Sequence, residues 1–372
     1  MGLEFLTEAI SNITWQQGVM FAVGIILIYL GIAKKLEPSL LIPMGLGAIM
    51  VNIPGSGAIG EIGAIDWLFK VGIEASEILP LLLFIGIGAM LDFGPLLSNP
   101  KLIFVGAAAQ AGIFLTIILA VCFGFSLEEA ASIGIIGAAD GPTSIAVATK
   151  LLDSDNAIRG AIMVVAYCYM ALVPLIQPAV IKCCTTKKER LIKMEYNPKN
   201  VTKTTRIAFP IIITLVAGLL APESVSLVGF LMFGNLIREC GVLDSLSETA
   251  SKTLTNLVTL LLGLTIASTL KAESFVTLDT IKIMGLGLFA FVLDSAFGIF
   301  FVKLINLFSK KKINPMVGAA GISAFPMASR IVHQMGVKED KSNYLLMHAA
   351  SANIAGQVAS AIAGGIVLSL FL

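Results

Sequence analysis

Long apolar runs alternate with short polar stretches along the whole chain. A membrane-spanning α-helix needs about 20 predominantly apolar residues, because the hydrocarbon core of a bilayer is about 30 Å thick. Ten runs approach that length, and they predict about ten transmembrane helices. The runs cover residues 17–34, 39–53, 76–92, 102–126, 157–181, 207–221, 225–237, 253–270, 281–308 and 344–372.

Two further apolar stretches, 131–151 and 314–331, are interrupted by glycine and proline. Glycine tolerates non-helical backbone angles and proline removes a backbone donor, so each stretch predicts a broken helix. If each stretch is a re-entrant hairpin, most basic residues fall on one face of the membrane, whereas full crossings would separate them. The positive-inside rule therefore favours hairpins, a cytoplasmic basic face and both termini outside. The basic face carries Lys34, Lys35, the loop 182–206 and residues 310–312, and the outer face carries Lys70, Arg159, Lys271 and Lys282.

Five predicted crossings in each half would make the two halves inverted relative to each other, which is a common plan of membrane transporters. The sequence supports this pairing, because Gly-Ala-Ala-Asp-Gly-Pro at 137–142 parallels Gly-Ala-Ala-Gly at 318–321. We therefore divide the chain into a first inverted repeat (1–181), a basic cytoplasmic linker (182–206) and a second inverted repeat (207–372).

The composition agrees with this pattern. Hydrophobic residues make up 57% of the 372 positions and charged residues 13%, whereas soluble domains carry about 25% charged residues. The sequence thus predicts an all-α integral membrane protein with about ten transmembrane helices and two re-entrant broken-helix hairpins, arranged in two inverted repeats.

The first broken segment has a carboxylate at its centre, because Asp140 is followed directly by Gly141 and Pro142. Unwound backbone at membrane depth supplies carbonyl oxygens and helix ends that coordinate small ions. An aspartate there costs roughly 2.5–3.5 kcal/mol on insertion scales, and a bound ion would offset that cost. We expect a site for a small cation or a proton. The alternative is a buried aspartate that only caps a helix.

The second broken segment is also polar. It offers Asn314 and Ser323 as neutral oxygen ligands, and Gly318 for a close approach of the backbone. Arg330 follows, and a guanidinium suits an anionic carboxylate substrate. The alternative for Arg330 is a positive charge that extends toward the cytoplasm.

Four more polar residues lie inside apolar helices. Asn353 and Gln177 occupy matching places in the last helix of each half, where they predict either ion ligands or interhelical hydrogen bonds. Tyr169 is a candidate proton relay, with simple packing as the alternative. Asp294 is a second carboxylate in the middle of a predicted helix and is a candidate for the ion path.

Three strings resemble the β-subunit family of biotin-dependent sodium-pumping decarboxylases, which act on oxaloacetate, methylmalonyl-CoA, glutaconyl-CoA or malonate. They are Gly-Ala-Ala-Asp-Gly-Pro-Thr at 137–143, the segment from Asn314 to Arg330, and Ala-Tyr-Cys-Tyr-Met-Ala-Leu-Val-Pro-Leu-Ile-Gln-Pro at 166–178. The resemblance covers nearly the whole chain. The functional residues of that family fall on Asp140, Tyr169, Asn314, Gly318, Ser323 and Arg330.

This resemblance implies that carboxybiotin, carried by a partner, loses CO₂ at this subunit, consumes a proton and drives Na⁺ outward. Asp140 would hold Na⁺, Arg330 would orient the carboxylate of carboxybiotin, and Tyr169 would relay the proton. The chain has no Met-Lys-Met biotin attachment sequence, so the biotin must come from another subunit. The implied partners are a biotin carrier, a carboxyltransferase α subunit, a small membrane-anchored γ/δ-type subunit and further copies of this chain. The implied location is the bacterial cytoplasmic membrane.

A different function class would produce similar patterns. An ion-coupled secondary transporter for a carboxylate, or a cation/proton antiporter, would also have inverted repeats and broken helices. A purely structural membrane subunit is disfavoured, because it would not need so many polar groups at membrane depth.

Overall fold

The computed structural model describes residues 12–60, 62–195 and 201–372. Within these ranges the chain consists of helices and turns without any strand, which confirms the all-α prediction. Residues 1–11 of the predicted first repeat and residues 196–200 of the predicted linker lie outside the described residues.

Each of the ten apolar runs lies on a helix. Helices are expected there because a backbone in lipid must satisfy its own hydrogen bonds. The helices over the ten runs are Trp15–Ala33, Pro38–Asn52, Ile78–Met90, Pro100–Cys122, Arg159–Cys184, Lys203–Leu220, Val225–Cys240, Asp244–Thr269, Leu278–Phe308 and Leu346–Phe371. Shorter helices cover Ala64–Glu74, Gly94–Ser98, Lys187–Arg190 and Ala272–Phe275.

Among the described residues, seven helices are long and apolar enough to cross a membrane. The number is eight if Ala64–Glu74 and Ile78–Met90, which meet at 66°, form one bent span. Pro38–Asn52 is apolar but shorter, with 15 residues. The fold is that of a multi-pass membrane protein, while the count of ten crossings and the two inverted repeats stay predictions.

Both predicted breaks are present. The first broken segment (127–151) consists of the α-helix Leu127–Gly134, a 3₁₀ turn at Ile135–Ala138 and the α-helix Gly141–Leu151. The second broken segment (314–339) has a single helical turn at Met316–Ala319, and its helix resumes at Met327–Glu339. Glycine and proline therefore end these helices where the sequence indicated.

The 31-residue helix Leu278–Phe308 packs against both broken segments. Glycines permit the close approach. A Cβ atom added to Gly137 would lie 2.8 Å from the Cβ of Ala290, and one added to Gly298 would lie 2.1 Å from the carbonyl oxygen of Gly318. This helix thus brings the two breaks into one core.

Two groups of ion pairs contain basic residues that the sequence assigned to opposite faces of the membrane. Three basic residues predicted for the outer face, Lys70, Arg159 and Lys271, line one cavity of about 830 Å³. Arg159 pairs there with Glu74, and Lys271 pairs with Asp66.

The linker forms the other group. Arg190 contacts Glu339 at 2.7 Å, and Lys193 contacts Asp340 at 2.9 Å, next to the second broken segment. The hydrogen bonds from Ser342, first of all that of its backbone N–H, and the Lys193 ammonium lower the pKa of Asp340 to about 2.

The predicted end of the first repeat, at residue 181, falls inside the helix Arg159–Cys184. The division of the chain into two repeats remains a prediction.

Candidate functional site

Asp140 lies where the first broken segment unwinds. Ala139 adopts the left-handed conformation with φ of 54°, which is costly for a residue with a side chain. Asp140 is extended and forms the N-cap of the helix Gly141–Leu151, where Pro142 fits the first turn. Local sequence therefore places a carboxylate at the positive end of a helix.

The carboxylate of Asp140 is buried and accepts hydrogen bonds from two helices. Its Oδ2 accepts from Thr143 Oγ1 at 2.7 Å, from Ser360 Oγ at 2.8 Å and from Gln357 Nε2 at 3.1 Å. Thr143 follows Asp140 by one turn, whereas Ser360 and Gln357 come from the last helix, Leu346–Phe371. No described basic side chain pairs with Asp140, so its partners are neutral.

Tyr167 packs against this break. A Cβ atom at Gly141 would lie 2.5 Å from the Tyr167 ring, so only glycine fits under the tyrosine. The Tyr167 hydroxyl is buried without a hydrogen-bond partner and interacts electrostatically with Asp140. Tyr169, which the sequence singled out, instead donates from its hydroxyl to the carbonyl oxygen of Met284.

The two breaks are joined directly. The backbone N–H of Ser323 donates to the carbonyl oxygen of Ala138 at 3.0 Å, and the Ser323 hydroxyl donates to the Gly356 carbonyl at 3.1 Å. Gly356 also lies against the second break, because a Cβ atom there would be 2.0 Å from the carbonyl oxygen of Gly321. Ser323 is therefore next to the segment that carries Asp140.

Three side-chain amides hold the second break from three different helices. Gln177 donates to the carbonyl of Ala319 at 2.8 Å, and Asn353 donates to the carbonyl of Ile322 at 2.7 Å. Gln110 donates to the carbonyl of Gly321 at 3.4 Å. The side-chain oxygens of all three amides are buried without a hydrogen-bond partner. The NH₂ group of each amide thus makes the predicted interhelical hydrogen bond, while its oxygen stays buried and unpartnered.

Two predicted residues lie elsewhere on the second broken segment. Asn314 donates to the carbonyls of Arg190 and Ile192, at 2.9 and 2.8 Å, so its amide binds the linker and not the Asp140 group. Gly318 is the close contact with Gly298 described above. The structure thus brings Asp140 and Ser323 together and puts Asn314 at the linker.

Arg330 lies in the first turn of Met327–Glu339, and its side chain is exposed. The neighbouring acid is Glu37, at the start of Pro38–Asn52. Burial raises the pKa of Glu37, and the charge of Arg330 partly offsets that rise. Arg330 is therefore accessible and lies near the carboxylate of Glu37.

Asp294 is the remaining candidate. It lies in the middle of Leu278–Phe308 and is fully buried, with both carboxylate oxygens lacking a hydrogen bond of normal geometry. It does not belong to the group around Asp140.

Sequence reasoning missed four residues of that group, Thr143, Tyr167, Gln357 and Ser360. Only Thr143 had a local signal, since a residue three positions after an N-cap aspartate donates to it.

Comparison with known proteins gives a consistent result. The family model described as the Na⁺-transporting oxaloacetate decarboxylase beta subunit matches residues 16–371. The methylmalonyl-CoA decarboxylase subunit beta of Veillonella parvula is 49% identical, covering 96% of this chain and 94% of its own length. The glutaconyl-CoA decarboxylase subunit beta of Acidaminococcus fermentans is 48% identical with the same coverage. The oxaloacetate decarboxylase beta chain of Klebsiella pneumoniae is 41% identical, covering 96% of this chain and 95% of its own length.

Proposed function

Since this chain belongs to the family of Na⁺-transporting oxaloacetate decarboxylase beta subunits, we propose that it decarboxylates carboxybiotin and couples this step to Na⁺ export. Decarboxylase-linked sodium transport by a multi-pass membrane subunit is the function of the family. The carboxybiotin substrate and the residue roles that follow are our proposal.

The buried carboxylate of Asp140 is the observation that supports the sodium site best. It supplies one formal negative charge at a helix break, which matches the single charge of Na⁺. Its hydroxyl donors Thr143 and Ser360 can rotate to present oxygen lone pairs, because hydroxyls both donate and accept. The amide of Gln357 can present its oxygen in the same way. The site thus offers at least four oxygen ligands in place of hydrogen-bond donors.

The second broken segment supplies neutral oxygens next to that carboxylate. The side-chain oxygen of Asn353 has no hydrogen-bond partner. Ser323 brings unwound backbone to the first break, and Gly318 packs closely against Gly298. Carbonyl oxygens from unwound backbone are typical Na⁺ ligands in transporters. We propose that these groups contribute to the path of the ion, and that Asn314 acts on this path by fixing the base of the segment to the linker.

Arg330 is the proposed binding group for carboxybiotin. The carboxylate on the ring nitrogen of carboxybiotin would accept two parallel hydrogen bonds from the guanidinium. As the N–C bond breaks, CO₂ leaves and the ring nitrogen takes a proton. Tyr169 is the proposed relay for that proton, and the unpartnered hydroxyl of Tyr167 is available as a further ligand at Asp140.

The proposal includes the assembly. A beta subunit implies a complex, and we propose a biotin carrier, a carboxyltransferase α subunit and a small membrane-anchored γ/δ-type subunit as partners, with several copies of this chain. The exposed apolar helix Lys203–Leu220 is compatible with contacts in the membrane plane. We propose the bacterial cytoplasmic membrane as the location, with Arg330 facing the cytoplasm.

The test is reconstitution of the purified subunit in liposomes, with free carboxybiotin added outside. We expect CO₂ release to require NaCl, with choline chloride as the control salt, and radioactive sodium to cross the bilayer as CO₂ forms. Release of CO₂ that ignores Na⁺ would contradict the coupling. Sodium movement driven by a carboxylate gradient without biotin would instead favour a secondary transporter.

A further inference from the structure

Asp294 is a buried acid outside the group around Asp140. Its side chain is fully buried, and neither carboxylate oxygen has a hydrogen bond of normal geometry. The hydroxyl of the adjacent Ser295 is also buried without a partner. An unpaired buried charge is too costly to keep, so such a group becomes neutral or binds a counter-charge.

Two glycines make room for this carboxylate. A Cβ atom at Gly112 would lie 2.2 Å from Oδ1 of Asp294, and one at Gly137 would lie 2.6 Å from Oδ2. Any larger residue at either position would collide with the acid. Gly137 belongs to the first broken segment and precedes Asp140 by three positions, so Asp294 touches the backbone that carries the proposed sodium ligand.

Among the described residues, no basic side chain pairs with Asp294. The two lysines on Leu278–Phe308 itself are paired elsewhere, Lys282 with Asp279 and Lys303 with Glu189. On the neighbouring helix Arg159–Cys184, Arg159 lies at the first position and pairs with Glu74. Lys303, nine positions from Asp294, is about 13 Å away along the helix.

The remaining titratable groups on the elements that pack against Leu278–Phe308 are acids, thiols and phenols or lie at the far ends. They are Lys101 and Cys122 on Pro100–Cys122, Glu128, Glu129, Asp140 and Lys150 on the first broken segment, and Tyr167, Cys168, Tyr169, Lys182, Cys183 and Cys184 on Arg159–Cys184.

The groups that face Asp294 favour a proton over a metal cation. Gly112 and Ile113 lie beside the carboxylate. The helix Pro100–Cys122 is interrupted at Gln110, and both residues are in the first turn of its second part, Ala111–Cys122. This end of a helix is positive, so it stabilises an anion and repels a cation. A carboxylate that faces backbone N–H groups can exchange a proton, whereas Na⁺ needs oxygen ligands such as backbone carbonyls.

We propose that Asp294 is a proton-binding site, separate from the cation site at Asp140, and that it is a neutral carboxylic acid in the arrangement that the structure shows. Burial favours the protonated form of Asp294, and the positive start of Ala111–Cys122 favours the ionised form. A movement of the first break at Gly137 would change the environment of the carboxyl and therefore the equilibrium between the protonated and the ionised form. The inference rests on the proposed function in that this movement accompanies Na⁺ binding three residues further on.

Infrared difference spectroscopy tests the proposal on the full chain in lipid at neutral pH. Isotope-labelled aspartate identifies the carbonyl band of protonated aspartic acids, and the Asp140→Asn variant removes the other buried candidate. We expect an aspartic acid band in labelled Asp140→Asn protein, its loss when Asp294→Asn is added to that variant, and no change of the band when NaCl replaces choline chloride. The presence or absence of the band in Asp140→Asn decides between the two forms of Asp294 even if the double variant does not fold.

Two results would overturn the proposal: no protonated aspartate in Asp140→Asn, or removal of its band by NaCl, which would make Asp294 a sodium ligand. Carboxybiotin decarboxylation is measured on the same preparations. Sodium-dependent turnover of the wild type, with no band in Asp140→Asn, refutes the proton site alone. The band in Asp140→Asn, with no sodium-dependent turnover of the wild type, refutes the proposed function alone. We also expect Asp294→Asn to lower turnover about tenfold while half-saturation by Na⁺ changes less than about twofold.

Discussion

The two broken segments have similar sequences but different chemistry. The first break ends in a carboxylate, and its donors Thr143, Gln357 and Ser360 all converge on one oxygen atom of Asp140. The second break has no carboxylate at its centre, and its backbone carbonyls at 319, 321 and 322 accept from three amides on three helices. Only the first break therefore carries a formal charge that a cation can neutralise.

The difference also concerns mobility. Hydroxyl donors on a carboxylate can turn toward an incoming cation, so the first break can exchange hydrogen bonds for ion contacts at little cost. The second break is fixed by three amides on separate helices, those of Gln110, Gln177 and Asn353. None of them can reorient without breaking its hydrogen bond to a backbone carbonyl of the break. We infer that the first break supplies the charge that binds the ion, whereas the second break contributes neutral oxygens to its path and keeps the first break in position.

Replacement of the charge at the first break has the largest expected effect. Asp140→Asn keeps the size of the side chain but removes the only formal negative charge of the site, so we expect it to abolish Na⁺-dependent decarboxylation. The protein should remain inserted and folded, as judged by its elution as a single species. Asp153→Asn, an exposed carboxylate beyond the same helix, is the control and should behave as wild type. Normal Na⁺ activation of Asp140→Asn would end the assignment.

We also predict that the two broken segments are accessible from opposite faces of the membrane, which labelling answers with a yes or a no. Asp153→Cys and Lys338→Cys, each in a background without native cysteines, put one thiol at the exposed end of each broken segment. We expect an impermeant thiol reagent to label position 153 from outside and position 338 from the cytoplasm. Labelling of both from one face would refute the inverted repeats.

Arg330 should show the next largest effect. If it binds the carboxylate of carboxybiotin through a bidentate fork, Arg330→Lys should lower turnover about hundredfold, since an ammonium cannot reproduce that geometry. Arg330→Gln should be worse because it also removes the charge. Lys338→Gln removes a positive charge from the same helix and is the control. A nearly normal rate for Arg330→Lys would make Arg330 a topological anchor.

A single donor at Asp140 should matter less than the charge. Ser360→Ala removes one of the four proposed oxygen ligands, and we expect the Na⁺ concentration for half-maximal activity to rise about tenfold, the equivalent of about 1.4 kcal/mol. The matched variant is Ser351→Ala, whose hydroxyl bonds only the carbonyl one turn earlier on the same helix. An equal shift in both variants would mean that the helix, and not the ligand, had been disturbed.

The smallest effect is expected at the second break. Gln177→Leu leaves the carbonyl of Ala319 without its donor, which should cost about 1–3 kcal/mol of stability, because a buried acceptor is left unsatisfied. A lower thermal midpoint with Na⁺ half-saturation changed by less than about twofold would agree with a scaffold role. A loss of Na⁺ affinity as large as that of Ser360→Ala would show that Gln177 is a ligand and would remove the contrast between the breaks.

The sequence by itself determined the helices, the two breaks and the capping position of Asp140. These are local properties: apolar length decides which segments can lie in lipid, and glycine and proline decide where a helix must stop. The three family strings also identified the family, which the comparisons confirmed.

Only the tertiary structure decided which side chains meet at the site. Gln357 and Ser360 lie 217 and 220 positions from Asp140, and no spacing rule links residues on helices so far apart. The same holds for Asn314, whose amide was expected to face the ion and instead bonds the linker. Tyr167 and Tyr169 are two positions apart, so they point about 200° apart around their helix. Which of them faces Asp140 depends on how that helix is rotated against its neighbours, and packing across the whole core sets that rotation.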